Sequence, residues 1–312
     1  MTGEATAGKG RAKEFDLHTH STFSDGTCTV RELVAQARRE GLAGIAVTDH
    51  DCLAQLSRVR AAARAEGFPV LAGVEVSAFD PSTGRKAHIL AFGLEATSDG
   101  SGPVERIVAQ TLVRRTANTL WQAWTIMRAL RADALDLPEE GASVVDPDFS
   151  VDAAVREAGE SSAVYKQHVM AALCHLPYAD ARYRQLYKAL FKGDGIACRD
   201  IPYPSAVSVV RAVREQGGHP VLAHPGQTDS WTLIPELVAA GLEGIEVAHP
   251  DHGEEFEAMA RAAAQRHRLF RTGGSDFHGE NGAPPRVGFR RICEEEAGEA
   301  AAALFSAETR LG

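Results

Sequence analysis

The sequence predicts an α/β barrel carrying a helical insertion, on two observations: short apolar runs alternate with helical patterns, and polar residues of chemical use gather where those runs end. The runs cover 15–18, 45–48, 70–75, 88–92, 221–224, 245–247 and 269–276, and their length and polar ends read as strands. Helix-like segments follow several of them: VRELVAQARREG after the first, LSRVRAAARAEG after the second, LIPELVAAG after the fifth. Such alternation implies a mainly parallel sheet. A closed barrel is favoured over an open sheet because the polar residues end six separate strands instead of flanking one crevice.

Between about residues 94 and 200 the alternation lapses, and VERIVAQTLVRRTANTLWQAWTIMRALRA, SSAVYKQHVMAAL and ADARYRQLYKALF are all helical in pattern. The loop DLPEEGASVVDPDFSVD, rich in Pro, Gly and Asp, joins them. The expected organisation is a disordered tail at 1–13, a barrel from 14–93 and 201–312, and an inserted helical cap at 94–200. Trp121 and Trp124 lie in an apolar stripe of the cap and read as core, not as a base-stacking platform.

A chain of 312 residues can bury the core of one large barrel with an insertion. Its formal net charge of −9 provides no field to attract a polyanion, which disfavours a nucleic-acid polymer as partner. Small phosphates are not excluded, because bound cations outweigh net charge locally. The five cysteines, Cys28, Cys52, Cys174, Cys198 and Cys293, are odd in number and form no C-x-x-C pair, so they suit a reducing cytoplasm better than a disulfide framework or a thiolate zinc site. The start, MTGEATAGKGRAKE, lacks an apolar signal region and no run is long enough to span a bilayer, so no membrane partner is expected.

The first run ends in FDLHTHSTFSDGT, where His18 and His20, two apart, leave a strand on one face and can grip one cation. Asp25 follows in the loop, and Gly26 beside it suggests a turn returning the carboxylate to the same mouth. Further donors are His50 in AVTDHD, Glu75 in LAGVEVS, His88 in AHILAFG, His224 in VLAHPG, and Asp276 with His278 in TGGSDFHG. Eight of these nine, Asp25 excepted, sit at or just beyond an expected strand end, which a chance scatter of histidines would not produce. Imidazole and carboxylate without thiolate suit Mn, Fe or Zn and exclude the common structural zinc types.

Taken in order, D-x-H-x-H-S, T-D-H-D, G-x-E, A-H-P and S-D-x-H-G resemble the PHP (polymerase and histidinol phosphatase) domain family, and more closely its stand-alone small-molecule phosphoesterases. The match runs from His18 to His278 and weakens across the cap. The resemblance implies a distorted (β/α)7 barrel and two or three divalent cations. By motif position, His18, His20, Glu75 and Asp276 would hold one, Glu75 would bridge to a second held by His88 and His224, and Asp25, His50 and His278 would hold a third. In YKQHVMAAL, Lys166 stands where the family shows arginine and His168 matches its histidine, so both are expected to face the metals and bind the substrate phosphate. A lysine brings charge without the arginine fork.

Asp16, Asp49 and Asp51 read as acceptors for ligand imidazoles, with helix capping or loop solvation as the other reading for Asp51. His249 and His252 follow a strand end and are expected to line the mouth toward substrate, whereas His175, His219 and His267 read as structural.

Clustered cations lower the pKa of a bridging water and neutralise a phosphate. The expected reaction is in-line attack on phosphorus by a hydroxide held between metals, Asp276 being one of their ligands. Lys166 would steady the phosphoryl oxygens, and His168 or a metal-site histidine would protonate the departing alcohol. The resemblance leans to phosphosugars, including phosphoribosyl 1,2-cyclic phosphate. Alternatives are a 3′,5′-bisphosphate or AMP phosphatase, a histidinol-phosphate phosphatase, and a 5′–3′ exonuclease on short RNA, which the acidic balance opposes. A non-catalytic metal-binding module stands last, since so many ligands at one mouth leave open positions. The oligomeric state is left open.

Overall fold

All seven expected runs form strands, joined by an eighth that the sequence reading did not include. The computed structural model describes residues 12–311. Its first half comprises β1 (Glu14–Asp16), α1 (Val30–Arg39), β2 (Gly44–Val47), α2 (Leu56–Glu66), β3 (Val70–Phe79) and β4 (Lys86–Phe92). The helices α3 (Pro103–Arg131), α4 (Glu139–Ala142), α5 (Val151–Ala158), α6 (Lys166–Cys174) and α7 (Ala181–Phe191) follow. The second half comprises α8 (Ala206–Glu215), β5 (His219–Leu222), α9 (Pro225–Thr228), α10 (Ile234–Ala240), β6 (Gly244–Ala248), α11 (Glu254–His267), β7 (Phe270–Gly273), β8 (Ile292–Cys293) and α12 (Glu294–Leu311). Most of the expected tail, residues 1 to 11, lies outside the described residues; Lys13 is tied down, its carbonyl accepting the Glu294 N–H at 2.9 Å.

The sheet order is β7-β6-β5-β4-β3-β2-β1-β8. Strands β1 to β3 are mutually parallel, as are β5 to β7, while β4 runs antiparallel to both neighbours and β8 is antiparallel to β1. The expectation of a strand–helix repeat therefore fails between β3 and β4, for a local reason. A parallel crossover needs about a dozen residues or more, and here Asp80 folds the short connection into a turn. Its carboxylate accepts the Ser82 N–H at 2.8 Å and the hydroxyls of Ser82 and Thr83 at 2.7 and 2.8 Å.

Beyond their strands, the chain segments after β1 and β7 close the ring. Leu17 N–H donates to Gly273 O, Asp276 N–H to His18 O and His20 N–H to Phe277 O, each at 2.9 Å. Gly274 allows that approach, since a Cβ there would collide with the backbone and Cβ of His18.

Strand alternation sorts the side chains. On β3, Val70, Ala72, Val74 and Val76 face outward into the core shared with α1, α2, α8 and α10, where Leu33, Val59, Val209 and Leu237 are buried. The opposite face of β3 carries Leu71, Gly73, Glu75 and Ser77, apolar low in the barrel and polar toward the mouth. Leu17, Leu90, Phe92, Val221 and Ala223 complete the apolar floor, with Leu304 of α12 below.

Helices α3 to α7 enclose a second core around Ile126, Phe149, Val169, Leu173, Tyr183, Leu186 and Leu190. Trp124, expected in it, is instead 44% exposed, because Ala123 and Ile126 take the inward positions and Arg128 covers the indole from 4.7 Å. Trp121 is half-buried under Arg199 at 4.8 Å. Among the described residues no helix is long and apolar enough to cross a membrane.

Replacing Gly274 by alanine should cost about 1–3 kcal/mol through forced displacement of the β1 extension, read as a lowered urea midpoint with loss of cation binding. A variant as stable as the parent would contradict the close packing at this closure.

Candidate metal centre

Three sets of donor atoms crowd the mouth of the barrel. His18, His20, Glu75 and Asp276 form one set with all donors within 4.8 Å of one another; His50, Glu75 and His88 form a second; His20, Asp25, His50 and His278 form a third. Glu75 joins them. Its Oε2 lies 3.1 Å from His18 Nε2 and 3.2 Å from both His20 Nε2 and His50 Nδ1, and its Oε1 lies 2.7 Å from His88 Nδ1 and 2.9 Å from His224 Nε2. Asp276 Oδ1 faces His18 and His20 at 3.4 and 3.1 Å. All nine donors named from the sequence thus converge. Three details differ from the expected partition: His20 and His50 each stand in two sets, and His224, expected with Glu75 and His88, stands in none, although its Nε2 faces Glu75 Oε1.

The position of two donors on their strands also differs. Glu75 lies in mid-β3, and His88 lies near the start of β4, not at strand ends. His88 still reaches the mouth because β4 is reversed, so its beginning lies beside the ends of its parallel neighbours.

Several of these atoms are buried without any hydrogen bond: both ring nitrogens of His20, Nδ1 of His50, Nδ1 of His224 and Oδ1 of Asp25. An orphaned buried polar atom costs about 1–3 kcal/mol, and here nitrogen and oxygen donors face one another across short gaps, an arrangement that divalent cations would satisfy. The residues therefore fit cations bound by imidazole and carboxylate.

Burial would raise the carboxyls of Glu75 and Asp276, yet the surrounding imidazoles hold both well below the ordinary range. Asp25 is likewise brought down to about 2: burial opposes this, and His278, His50 and His20 outweigh it. Burial would lower His20, but Asp276 and Glu75 raise it to about 10; His18 is raised in the same manner by Glu246, Glu75 and Asp276. His50 falls to about 3 through burial.

The three aspartates expected behind the histidines shape loops instead. Asp16 accepts the Ser275 N–H and hydroxyl and the Gly288 N–H, at 2.9, 2.6 and 2.7 Å. Asp49 accepts the Ser21 N–H and the hydroxyls of Ser21 and Ser24, at 2.8, 2.7 and 2.6 Å. Asp51 accepts the Ser77 N–H at 3.0 Å and Arg115 Nη2 at 2.6 Å. The carboxylate outside the donor sets that faces one of their imidazoles is Glu246, 3.1 Å from His18 Nδ1. Its signal was a lone acid in the apolar strand GIEVA, on the inward parity.

His252, expected to meet substrate, has no valence left: Nδ1–H donates to Val247 O at 2.8 Å and Nε2 accepts the Gly226 N–H at 3.0 Å. His249 is also diverted. Its Nδ1 accepts the Asp251 N–H at 3.1 Å, so Nε2–H points at Asp276 Oδ2, 3.4 Å away. His168 is buried, and its Nδ1 accepts the Tyr165 N–H at 3.1 Å. It feels Asp25, and burial lowers its pKa.

A cavity of about 170 Å³ separates Asp25, His50 and His88 from the helical roof, and Lys86, Arg115, Lys166, Tyr165 and Tyr203 line it. Burial lowers Lys166 to about 8. Arg115, which sequence reading missed, is braced by Asp51, by the Ser77 hydroxyl at 2.8 Å and by the Tyr165 ring at 4.9 Å, while its Nε has no partner. Nothing in VRRTANT distinguishes it from the neighbouring Arg114; only the packing of α3 does.

Comparison with known proteins agrees with this chemistry. The PHP domain profile matches residues 16–119. The chain is 46% identical over 275 residues to the phosphoribosyl 1,2-cyclic phosphate 1,2-diphosphodiesterase of Eggerthella lenta, covering 88% of this chain and 98% of that protein. It is 32% identical over 277 residues to the 3′,5′-nucleoside bisphosphate phosphatase of Chromobacterium violaceum, covering 86% and 88%. A crystal structure from Bifidobacterium adolescentis, assigned as a metal-dependent phosphoesterase, superposes with a TM-score of 0.72 at 25% identity, covering 95% of this chain and 97% of that one.

Since His20 holds its proton up to about pH 10 in the metal-free protein, cation uptake at neutral pH must expel protons, and affinity should rise with pH. Calorimetry in buffers of different ionisation enthalpy should register net proton release at pH 7. Uptake without release would contradict the assignment of His20 as a donor.

Proposed function

The chain belongs to the PHP family of metal-dependent phosphoesterases, and on that premise we propose that it hydrolyses a small phosphosugar ester, with phosphoribosyl 1,2-cyclic phosphate as its leading substrate. One observation carries this choice: the cavity beside the donor cluster is small and brings three cationic side chains, Lys86, Arg115 and Lys166, against two carboxylates, Asp25 and Asp200. At about 170 Å³ it falls below the roughly 300–1,000 Å³ usual for larger ligands, which favours a pentose phosphate over a nucleotide or a polymer end. The 46% identity to a protein named for that cyclic phosphate supports the same reading.

In this proposal three cations, of Mn, Fe or Zn, are held by the expected sets: His18, His20, Glu75 and Asp276; Glu75, His88 and His224; Asp25, His50 and His278. Bound there, they would supply a water of lowered pKa and neutralise the phosphate. The chain's own part is positioning. Arg115 and Lys166 grip the phosphoryl oxygens, and Arg115 contributes the planar fork that Lys166 lacks. Asp51 and Ser77 brace the guanidinium before substrate arrives, which spares the cost of ordering it. Lys166, on the cavity wall with Lys86, is also an ammonium from which a departing alcohol could take a proton, whereas His168 holds the start of α6 by accepting the Tyr165 N–H. The segment 94–200 acts as the cap that excludes water. The five cysteines, all free, support a reducing cytoplasm as its location.

A screen that reads ester hydrolysis as well as phosphate release should give the highest kcat/KM on the cyclic phosphosugar, opened to a monoester by one water and stripped to free phosphate by a second, insensitive to salt. Preference for 3′,5′-bisphosphates would move the assignment to nucleotides, and activity on RNA that falls steeply with salt would move it to a nuclease.

With Lys166 at about 8, its charge is present below that pH and lost above it. The profile of kcat/KM, which reports the free enzyme, should fall on that alkaline side. Lys166→Gln should lower kcat/KM about tenfold or more and abolish this limb; an unchanged limb would remove Lys166 from phosphate binding.

A further inference from the structure

Glu246, in the middle of β6, is fully buried and belongs to none of the donor sets among the described residues. It makes two contacts that bear on those sets. The first is to His18, whose Nδ1 lies 3.1 Å from Oε1 and 3.3 Å from Oε2. An ionised carboxylate only accepts hydrogen bonds, so the proton of His18 must sit on Nδ1. Nε2, on the opposite edge 3.1 Å from Glu75 Oε2, is then the nitrogen whose proton a cation would displace.

The second contact is to the chain itself. Glu246 Oε2 accepts the backbone N–H of His224 at 2.8 Å. His224 has φ 25° and ψ 59° at the point where β5 gives way to α9, a left-handed conformation that a non-glycine residue adopts only where its surroundings hold it. This bend carries His224 Nε2 to within 2.9 Å of Glu75 Oε1. One buried carboxylate therefore sets two imidazoles that approach different oxygens of Glu75.

We propose that Glu246 is a positioning residue that couples two of the cation sites: by fixing the ring proton of His18 and the backbone of His224 together, it makes the sites on either side of Glu75 assemble as one. This rests on the reading that His18, Glu75 and His224 hold cations. A carboxylate serving only as a buried counter-charge would need neither contact in this geometry.

Glu246→Gln separates the two roles, because the amide keeps the size but offers one acceptor oxygen to two donors, turning an NH2 toward either His18 Nδ1–H or His224 N–H. Cation titrations of wild-type protein and variant, followed by elemental analysis and by turnover of phosphoribosyl cyclic phosphate, are the test. Two cations should bind about 10–100-fold more weakly in the variant, losing affinity in step. The cation at Asp25 and His278 should keep its affinity, and excess metal should restore kcat with KM unchanged. Equal affinity and equal kcat in the variant, or weakening of one site alone, would overturn the proposal.

Should the variant fail to fold, Glu246→Asp decides, because it keeps the charge but withdraws the carboxylate by one methylene from His18 Nδ1 and the His224 N–H: the same two cations must weaken in step, and weakening of one alone would overturn the proposal. Wild-type protein that takes up no cation would instead overturn the metal-centre reading, and the coupling with it.

Discussion

The fold turns on one buried carboxylate. Glu75 brings its two oxygens within 3.2 Å of five imidazole nitrogens, from His18, His20, His50, His88 and His224. Those five residues come from the ends of β1, β2 and β5 and the start of β4, so no local segment could gather them. A charge buried to this degree is tolerable only when compensated on every side. Imidazolium protons compensate it in the metal-free protein, and divalent cations would do so in the loaded one. The same pocket can thus take either set of positive charge, and exchange between them would link proton and metal binding.

The barrel's irregularity serves this carboxylate. Glu75 is not a strand-end residue but an interior one, flanked by a neighbour running the other way. Reversal of β4 lets His88 descend beside Glu75 from the mouth, while Asp80 makes the tight connection that reversal requires. The roof completes the enclosure: Tyr165, at the start of α6, donates its hydroxyl to His50 O at 2.9 Å, and Arg115 of α3 reaches down to Asp51. Helices α3 and α6 are therefore bonded into the same loops that carry the candidate donors. Anions entering the cavity meet fixed positive groups on the roof and the donor cluster on the floor.

What could be read in the sequence was what depends on short-range pattern. Strand parity put His18 and His20 on one face, and polar residues after apolar runs marked the barrel mouth. His88 reaches the mouth for a reason the sequence does not carry, since nothing in AHILAFG distinguishes a strand that runs down from one that runs up. Other features depend on contacts between distant segments. His252 and Glu246 both lie near the mouth in sequence terms, yet the first spends both nitrogens on the backbone while the second reaches the His18 imidazole. Arg115 and Trp124 show the same limit on α3: helical periodicity chose the stripe, but which arginine entered the cavity and which indole stayed outside was decided by neighbouring helices.

Anomalous diffraction from crystals grown with manganese, recorded above and below the metal absorption edge, tests the central role of Glu75 most directly. Peaks should flank its carboxylate, within about 2.0–2.2 Å of its oxygens and of the facing histidine nitrogens. Manganese bound elsewhere, with Glu75 still paired only to imidazoles, would contradict the account.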